Sequence, residues 1–161
     1  MSGRILGLDF GTKRVGAALG DREVRLATPL ETYQRRDPAR DAQHYRGLVD
    51  AYGVERIVVG LPLHTGGGES HLAALARQWG AWLAGVTGRP VVFFDERYTS
   101  LLADEVLRES GVRASQRGGK RDMLAARILL QHYLDAGCPE AEAPAAPLED
   151  PVELEDEGPE G

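Results

Sequence analysis

The chain has 161 residues, 19 basic and 25 acidic for a formal net charge of −6, and is 42% hydrophobic, 27% charged and 6% aromatic. That length suits one domain with a sizeable core, which excludes a two-lobed kinase and a disulfide-stapled miniprotein. A single cysteine, Cys138, excludes internal disulfides and a cysteine-rich zinc site, and no apolar run approaches the ~18 residues of a membrane span.

The first apolar run, Arg4 to Leu8, has already reached Asp9, leaving no room for a signal or transit peptide, so a cytoplasmic protein is expected. Val15 to Leu19 is a second run reached through a turn at Gly11, and the two together predict a β-hairpin. Arg25 to Leu30 follows as a third strand. Asp37 to Tyr52 carries a helical stripe of Tyr45, Leu48, Val49 and Tyr52. The β-branched run Arg56 to Leu63 stops at Gly60-Leu61-Pro62. A glycine loop, Gly66-Gly67-Gly68, then precedes a helix from Ser70 to Ala84 with Leu72, Leu75, Ala76, Trp79 and Leu83 at core spacing. Val91 to Phe94 is continuously apolar, as in a strand covered on both faces, and runs into Asp95-Glu96-Arg97. Ser100 is placed to N-cap a helix ending at Gly111. Val112 to Lys120 reads as a polar basic loop, and Arg121 to Ala136 as a last helix packed on the sheet. The order predicts an α/β fold: a mixed sheet with helices on both faces.

Charge is uneven along this plan. Pro139 to Gly161 holds nine acids and no Lys or Arg, leaving 19 basic against 16 acidic residues, a net of +3, for residues 1–138. Five prolines and few large apolar residues in that segment predict a disordered acidic tail, residues 139–161, behind a slightly basic domain of residues 1–138.

Three carboxylates stand out. Asp9 closes a buried strand, where it is either a turn aspartate or a group needing a donor, a counter-charge or a cation. Asp95 and Glu96 sit at the carboxyl end of another buried strand, the edge where open α/β sheets place ligands, and adjacent strand residues point to opposite faces. Asp122 lies in the first turn of the last helix, which suits the helix dipole, yet Ala125 and Ala126 make its face small and apolar. Converging carboxylates repel unless cations neutralise them, and oxygen-only ligands suit magnesium or manganese. The four histidines have no zinc spacing, and the glycine loop lacks the Lys-Ser/Thr of a P-loop, although its amides could take a phosphate. The basic loop, Arg113, Arg117, Lys120 and Arg121, is either solvated surface or a phosphate-backbone contact.

Four segments carry a resemblance. ILGLDFGTKRVGAALGD at 5–21, IVVGLPL at 57–63, DERYTS at 95–100 and RDMLAARILLQHYL at 121–134 resemble, in order, the motifs of the YqgF family, also called RuvX. The resemblance implies an RNase H-like fold related to the Holliday-junction resolvase RuvC. It also implies a nuclease that processes the 5′ end of pre-16S rRNA, with Asp9, Glu96 and Asp122 as a metal-binding triad. Lys13, Arg14, Arg97 and Thr99 match further motif positions. Met123 replaces the Lys or Ser that often follows the last aspartate, and the acidic tail lies outside the motifs.

Two-metal phosphodiester hydrolysis needs carboxylates and no histidine or cysteine nucleophile, which agrees with the residues present. Lys13, Arg14 and Arg97 would then hold phosphates of structured RNA or branched DNA. Asp9-Phe10-Gly11-Thr12 also resembles the phosphate loop of actin-like ATPases and sugar kinases, but those need two lobes and a second strand-borne Asp-x-Gly. A non-catalytic nucleic-acid-binding module is the third class. Between RNA processing and junction resolution, the latter implying a homodimer, the sequence does not choose.

Overall fold

The computed structural model describes residues 3–62, 70–95, 99–109, 111 and 117–140. Five strands, β1 (Arg4–Asp9), β2 (Arg14–Asp21), β3 (Leu26–Gln34), β4 (Val54–Leu61) and β5 (Val91–Asp95), form one sheet in the order β3-β2-β1-β4-β5. β1, β2 and β3 are an antiparallel meander, whereas β4 and β5 run parallel to β1. The hairpin is in register with Asp9 opposite Gly16. This is the mixed sheet expected of the RNase H-like fold, and no second lobe is present among the described residues.

Helices α1 (Pro38–Tyr52) and α2 (His71–Thr87) cover one face, and α4 (Arg117–Asp135), with α3 (Thr99–Glu109) against it, covers the other. Strand alternation sorts the core accordingly. Leu6, Leu8, Val15, Ala17, Ile57, Val59 and Phe93 pack with Tyr45, Trp79 and Leu83 beneath α1 and α2. Ile5, Ala18, Val58 and Val92 pack with Ala126, Leu130 and Tyr133 of α4.

The helix signals are local. Asp37 accepts from the Arg40 N–H at 2.9 Å, Pro38 opens α1, and Gly53 closes it at φ 63°. Ser70 likewise caps α2 through the Ala73 N–H, and Gly88 ends it at φ 71°. Gly47 in α1 and Gly85 in α2 have open space where a Cβ would stand. Gly47→Ala and Gly85→Ala should each raise stability by about 0.5–1 kcal/mol through lower unfolded-state entropy, read as a higher urea midpoint at unchanged m-value.

Several boundaries differ from the sequence reading. β3 continues past Leu30 to Gln34, because it pairs with β2 as far as Arg14 opposite Gln34. β4 ends at Leu61, where Pro62 has no N–H to offer a neighbour. Ser100 is the second residue of α3 and therefore not its N-cap. Arg117 to Lys120, read as loop on account of Gly118-Gly119, form the first turn of α4, and Thr32 of β3 donates to the Gly119 carbonyl at 2.6 Å. Asp122 therefore stands in the second turn, where the helix dipole contributes less than close packing does.

The free edge of β3 is closed by α4. The Ala27 N–H donates to Gln131 Oε1 at 3.0 Å, and Gln131 Nε2 donates to the Arg25 carbonyl at 3.0 Å. Pro139 and Glu140, assigned to the tail by composition, touch the domain: Tyr133 Oη donates to the Pro139 carbonyl at 2.8 Å, and Arg56 pairs with Glu140 at 2.9 Å. The rest of the tail lies outside the described residues.

Candidate functional site

Parallel pairing of β1, β4 and β5 sends their carboxyl ends to one edge of the sheet, and the β1–β2 turn, Phe10 to Lys13, lies at the same edge. Asp9 is the last residue of β1. By the alternation of Ile5 and Gly7 its side chain belongs to the α4 face. What brings Asp122 beside it is a path of glycines. A Cβ on Gly16, the partner of Asp9, would overlap the Asp122 carbonyl, and a Cβ on Gly7 would stand 2.8 Å from the Leu130 Cβ. Glycine in the middle of a strand marks such an approach of another backbone. Helix α4 thus lies directly on the hairpin, and residues 113 positions apart meet at one edge.

Asp122 is 8% exposed. Its charge is met by Arg14 at the start of β2, whose Nε donates to Oδ2 at 2.6 Å, and the bond and charge of Asp122 raise the Arg14 pKa above its ordinary value. Asp9, Lys13, Arg14, Arg121 and Asp122 all line one cleft of about 440 Å³, with Phe10, Pro62 and Leu72 among its walls. The turn on which Asp9 and Lys13 sit is held from β3's end, where Arg35 Nη1 donates to the carbonyls of Gly11 at 3.0 Å and Thr12 at 3.2 Å. Its backbone N–H donates to the Lys13 carbonyl at 2.9 Å.

The structure therefore gathers five of the residues singled out from sequence. Lys120 is exposed one residue before the cleft, Thr99 opens α3 and Arg117 opens α4. Glu96, Arg97 and Arg113 lie outside the described residues, as does the glycine loop. Two roles escaped the sequence reading: Arg14 as the counter-charge of Asp122, and Gly16 as the seat of α4. Only the second left a sequence signal, a glycine interrupting the run Val15 to Leu19.

The donors in the cleft suit a hard divalent cation. Asp9 and Asp122 offer carboxylate oxygens, no histidine or cysteine is found among the described residues that line the cleft, and a guanidinium already stands against Asp122 as a cation. Among the described residues no group of three metal-ligating side chains is found, the candidate third carboxylate, Glu96, being outside them.

A family model described as "RuvX: Holliday junction resolvase" matches residues 3–136, the whole of the sheet and α4. The chain belongs to the RuvX family. Relatives named "Putative pre-16S rRNA nuclease" support the assignment along nearly their full length. One from Chloroflexus aggregans is 44% identical over 132 residues, 82% of this chain and 93% of that protein. Another from Lactococcus lactis subsp. lactis is 41% identical over 138 residues, 84% of this chain and 96% of that protein. Among solved structures, RuvC of T. thermophilus in complex with a Holliday junction substrate superposes with a TM-score of 0.51 at 19% identity, covering 88% of this chain and 99% of that one. That likeness establishes the RNase H-like fold of this RuvX chain. Among its described residues no helix is long and apolar enough to cross a membrane.

Proposed function

We propose that this RuvX protein is a divalent-metal-dependent endonuclease that hydrolyses phosphodiester bonds, processing the 5′ end of pre-16S rRNA in the cytoplasm. The observation that carries the reading is the cleft: two carboxylates from opposite ends of the chain, ringed by Lys13, Arg14 and Arg121, at the ligand edge of the sheet. The names borne by relatives such as those of C. aggregans and L. lactis agree with it.

Asp9 and Asp122 would hold magnesium or manganese, with Glu96 as the third carboxylate. In β5, Phe93 packs on the α1–α2 side while Val92 and Phe94 pack on the α4 side. That alternation puts Asp95 with Phe93 on the α1–α2 side, which supports the choice of Glu96 over Asp95 as the third carboxylate. When bound, such ions acidify a water toward neutral pH and steady the leaving oxygen. Lys13 and Arg121 would hold the flanking phosphates, and Phe10 and Leu72 supply apolar wall to the cleft. Thr99, Arg97, Arg113, Arg117 and Lys120 would extend the phosphate contacts along the strand.

Resolution of branched DNA is the second reading, favoured by the description of the matching family. A labelled four-way junction and a precursor-rRNA mimic, offered side by side with magnesium or manganese, separate the two. Single cuts near the mature 5′ end of the RNA are expected. Paired symmetric cuts in the junction, made by a homodimer, would transfer the assignment to the resolvase.

A further inference from the structure

A second pocket opens between the start of α1 and the middle of α2, beside Arg35. Its volume is about 230 Å³, and Arg35, Arg36, Pro38, Asp41, Trp79 and Trp82 line it. Typical pockets for whole drug-sized ligands run from about 300 to 1,000 Å³, so this one suits a fragment the size of a single nucleobase. Its aromatic wall is a row of tilted rings that continues inward to Phe10. Trp79 lies against Phe10 with ring centroids 5.1 Å apart, and Trp82 stands 6.3 Å further on at an interplanar angle of 31°. Trp79 is part of the core, whereas Trp82 is only partly buried and presents indole surface to the opening.

Phe10 links the pocket to the carboxylate cleft. Phe10 lines the cleft, contacts Trp79 of the pocket, and lies beneath the Arg35 guanidinium, whose Cζ is 5.1 Å from the ring centroid. The same Arg35 holds the Gly11 and Thr12 carbonyls of the turn. One side chain, Phe10, thus stands between the cleft and the first of the two tryptophans.

Charge fixes the orientation of what enters. Asp41 is buried at 4% exposure, and its Oδ1 accepts from Tyr33 Oη at 2.7 Å and from the Arg36 N–H at 2.9 Å. A carboxylate within the lining disfavours a phosphate inside the pocket, while Arg36 is exposed at the rim, where a phosphate remains solvated. Aromatic faces inside and cations at the mouth are the chemistry of single-stranded nucleic-acid binding.

We propose that the Trp79–Trp82 pocket is a subsite for one unpaired nucleotide flanking the scissile bond, its base stacked on Trp82 and its phosphate held by Arg36. The assignment rests on nucleic acid being the ligand of the neighbouring cleft. It goes beyond that reading by requiring the substrate to be single-stranded at this point.

The chain has two tryptophans and both line this pocket, so intrinsic tryptophan emission reports on it, with Trp82 the more exposed of the two. In chelator, without cleavage, a short oligouridylate should quench the emission saturably. A blunt duplex of equal charge should quench it far less. Trp82→Ala should weaken oligouridylate binding about tenfold by fluorescence anisotropy, and Trp82→Phe should restore most of it. Arg36→Ala, at an exposed position, should reduce the salt slope of binding by about one. Binding seen by anisotropy with no change in emission would overturn the proposal, as would equal quenching by duplex. Emission that varies with protein concentration alone would also overturn it, by placing a second copy of the chain in the pocket. Cleavage measured separately keeps the two readings apart: quenching without cleavage by the parent protein sinks the nuclease reading alone, and cleavage without quenching sinks the pocket alone.

Discussion

Asp9→Asn and Asp122→Asn should each lower nucleic-acid cleavage by more than a hundredfold while the protein stays folded. Outer-shell partners of a metal site already cost about 10–100-fold when removed, and a carboxylate ligand contributes more than its supports. Asparagine keeps size and shape at both positions and removes only the charge that draws the cation. Repulsion among carboxylates alone would leave every such variant at least as stable as its parent without metal. Arg14 changes this for Asp122, whose 2.6 Å bond to the guanidinium would become one to a neutral amide. Asp122→Asn should therefore lose about 1 kcal/mol, whereas the discarded partner, 43% exposed, is resolvated at little cost. Glu96→Gln should behave as Asp9→Asn does. Asp95→Asn is the control, since Asp95 shares the parity of Phe93 and belongs to the α1–α2 side of the sheet. The measurements are cleavage of RNA and junction DNA with magnesium or manganese, and thermal midpoints without metal. An inactive Asp95→Asn beside an active Glu96→Gln would reverse the choice of third carboxylate. A parent as inert as every variant on both substrates would leave the non-catalytic binding module as the function.

Elements defined by local chemistry were legible in the sequence, and those defined by a distant partner were not. The hairpin, α1 with its Asp37 cap and Gly53 stop, and the buried β4 and β5 follow from alternation, capping and β-branched runs. The last four residues of β3 escaped because Glu31, Thr32 and Gln34 are polar around Tyr33 and the segment takes its strand geometry from β2. The first turn of α4 escaped because two successive glycines read as a breaker, whereas Thr32 holds that turn against β3. For the site, Asp9 and Asp122 were visible as carboxylates where apolar packing was expected. Arg14 was visible as a cation suited to phosphate, but its partner lies 108 residues away, and no spacing rule reaches that far. Trp79 stands at core spacing in the sequence and is core in the structure, whereas Trp82 lies off that stripe and carries no sequence signal for the pocket it lines.

Gly16→Ala should be the most damaging single-methyl change in the protein. The added Cβ would overlap the carbonyl of Asp122, which is backbone and cannot rotate aside, and the strand beneath it is held on both sides by β1 and β3. Relief requires the start of α4 to lift from the hairpin. Overpacking of a well-filled site costs about 1–3 kcal/mol, and a clash with rigid backbone belongs at the upper end. Gly20→Ala is the informative comparison, because there the new methyl's nearest contacts are side-chain atoms, the terminal methyls of Leu130 and Leu134 at 3.0 Å and Leu130 Cγ at 3.4 Å, which can shift. Both variants should unfold at lower urea concentration, Gly16→Ala more so. Only Gly16→Ala should also weaken manganese binding in calorimetry and abolish cleavage at temperatures where it remains fully folded, since lifting α4 carries Asp122 away from Asp9. Folded Gly16→Ala with parental manganese affinity and parental rate would mean that this close approach serves packing alone, and that the two carboxylates do not act as one site.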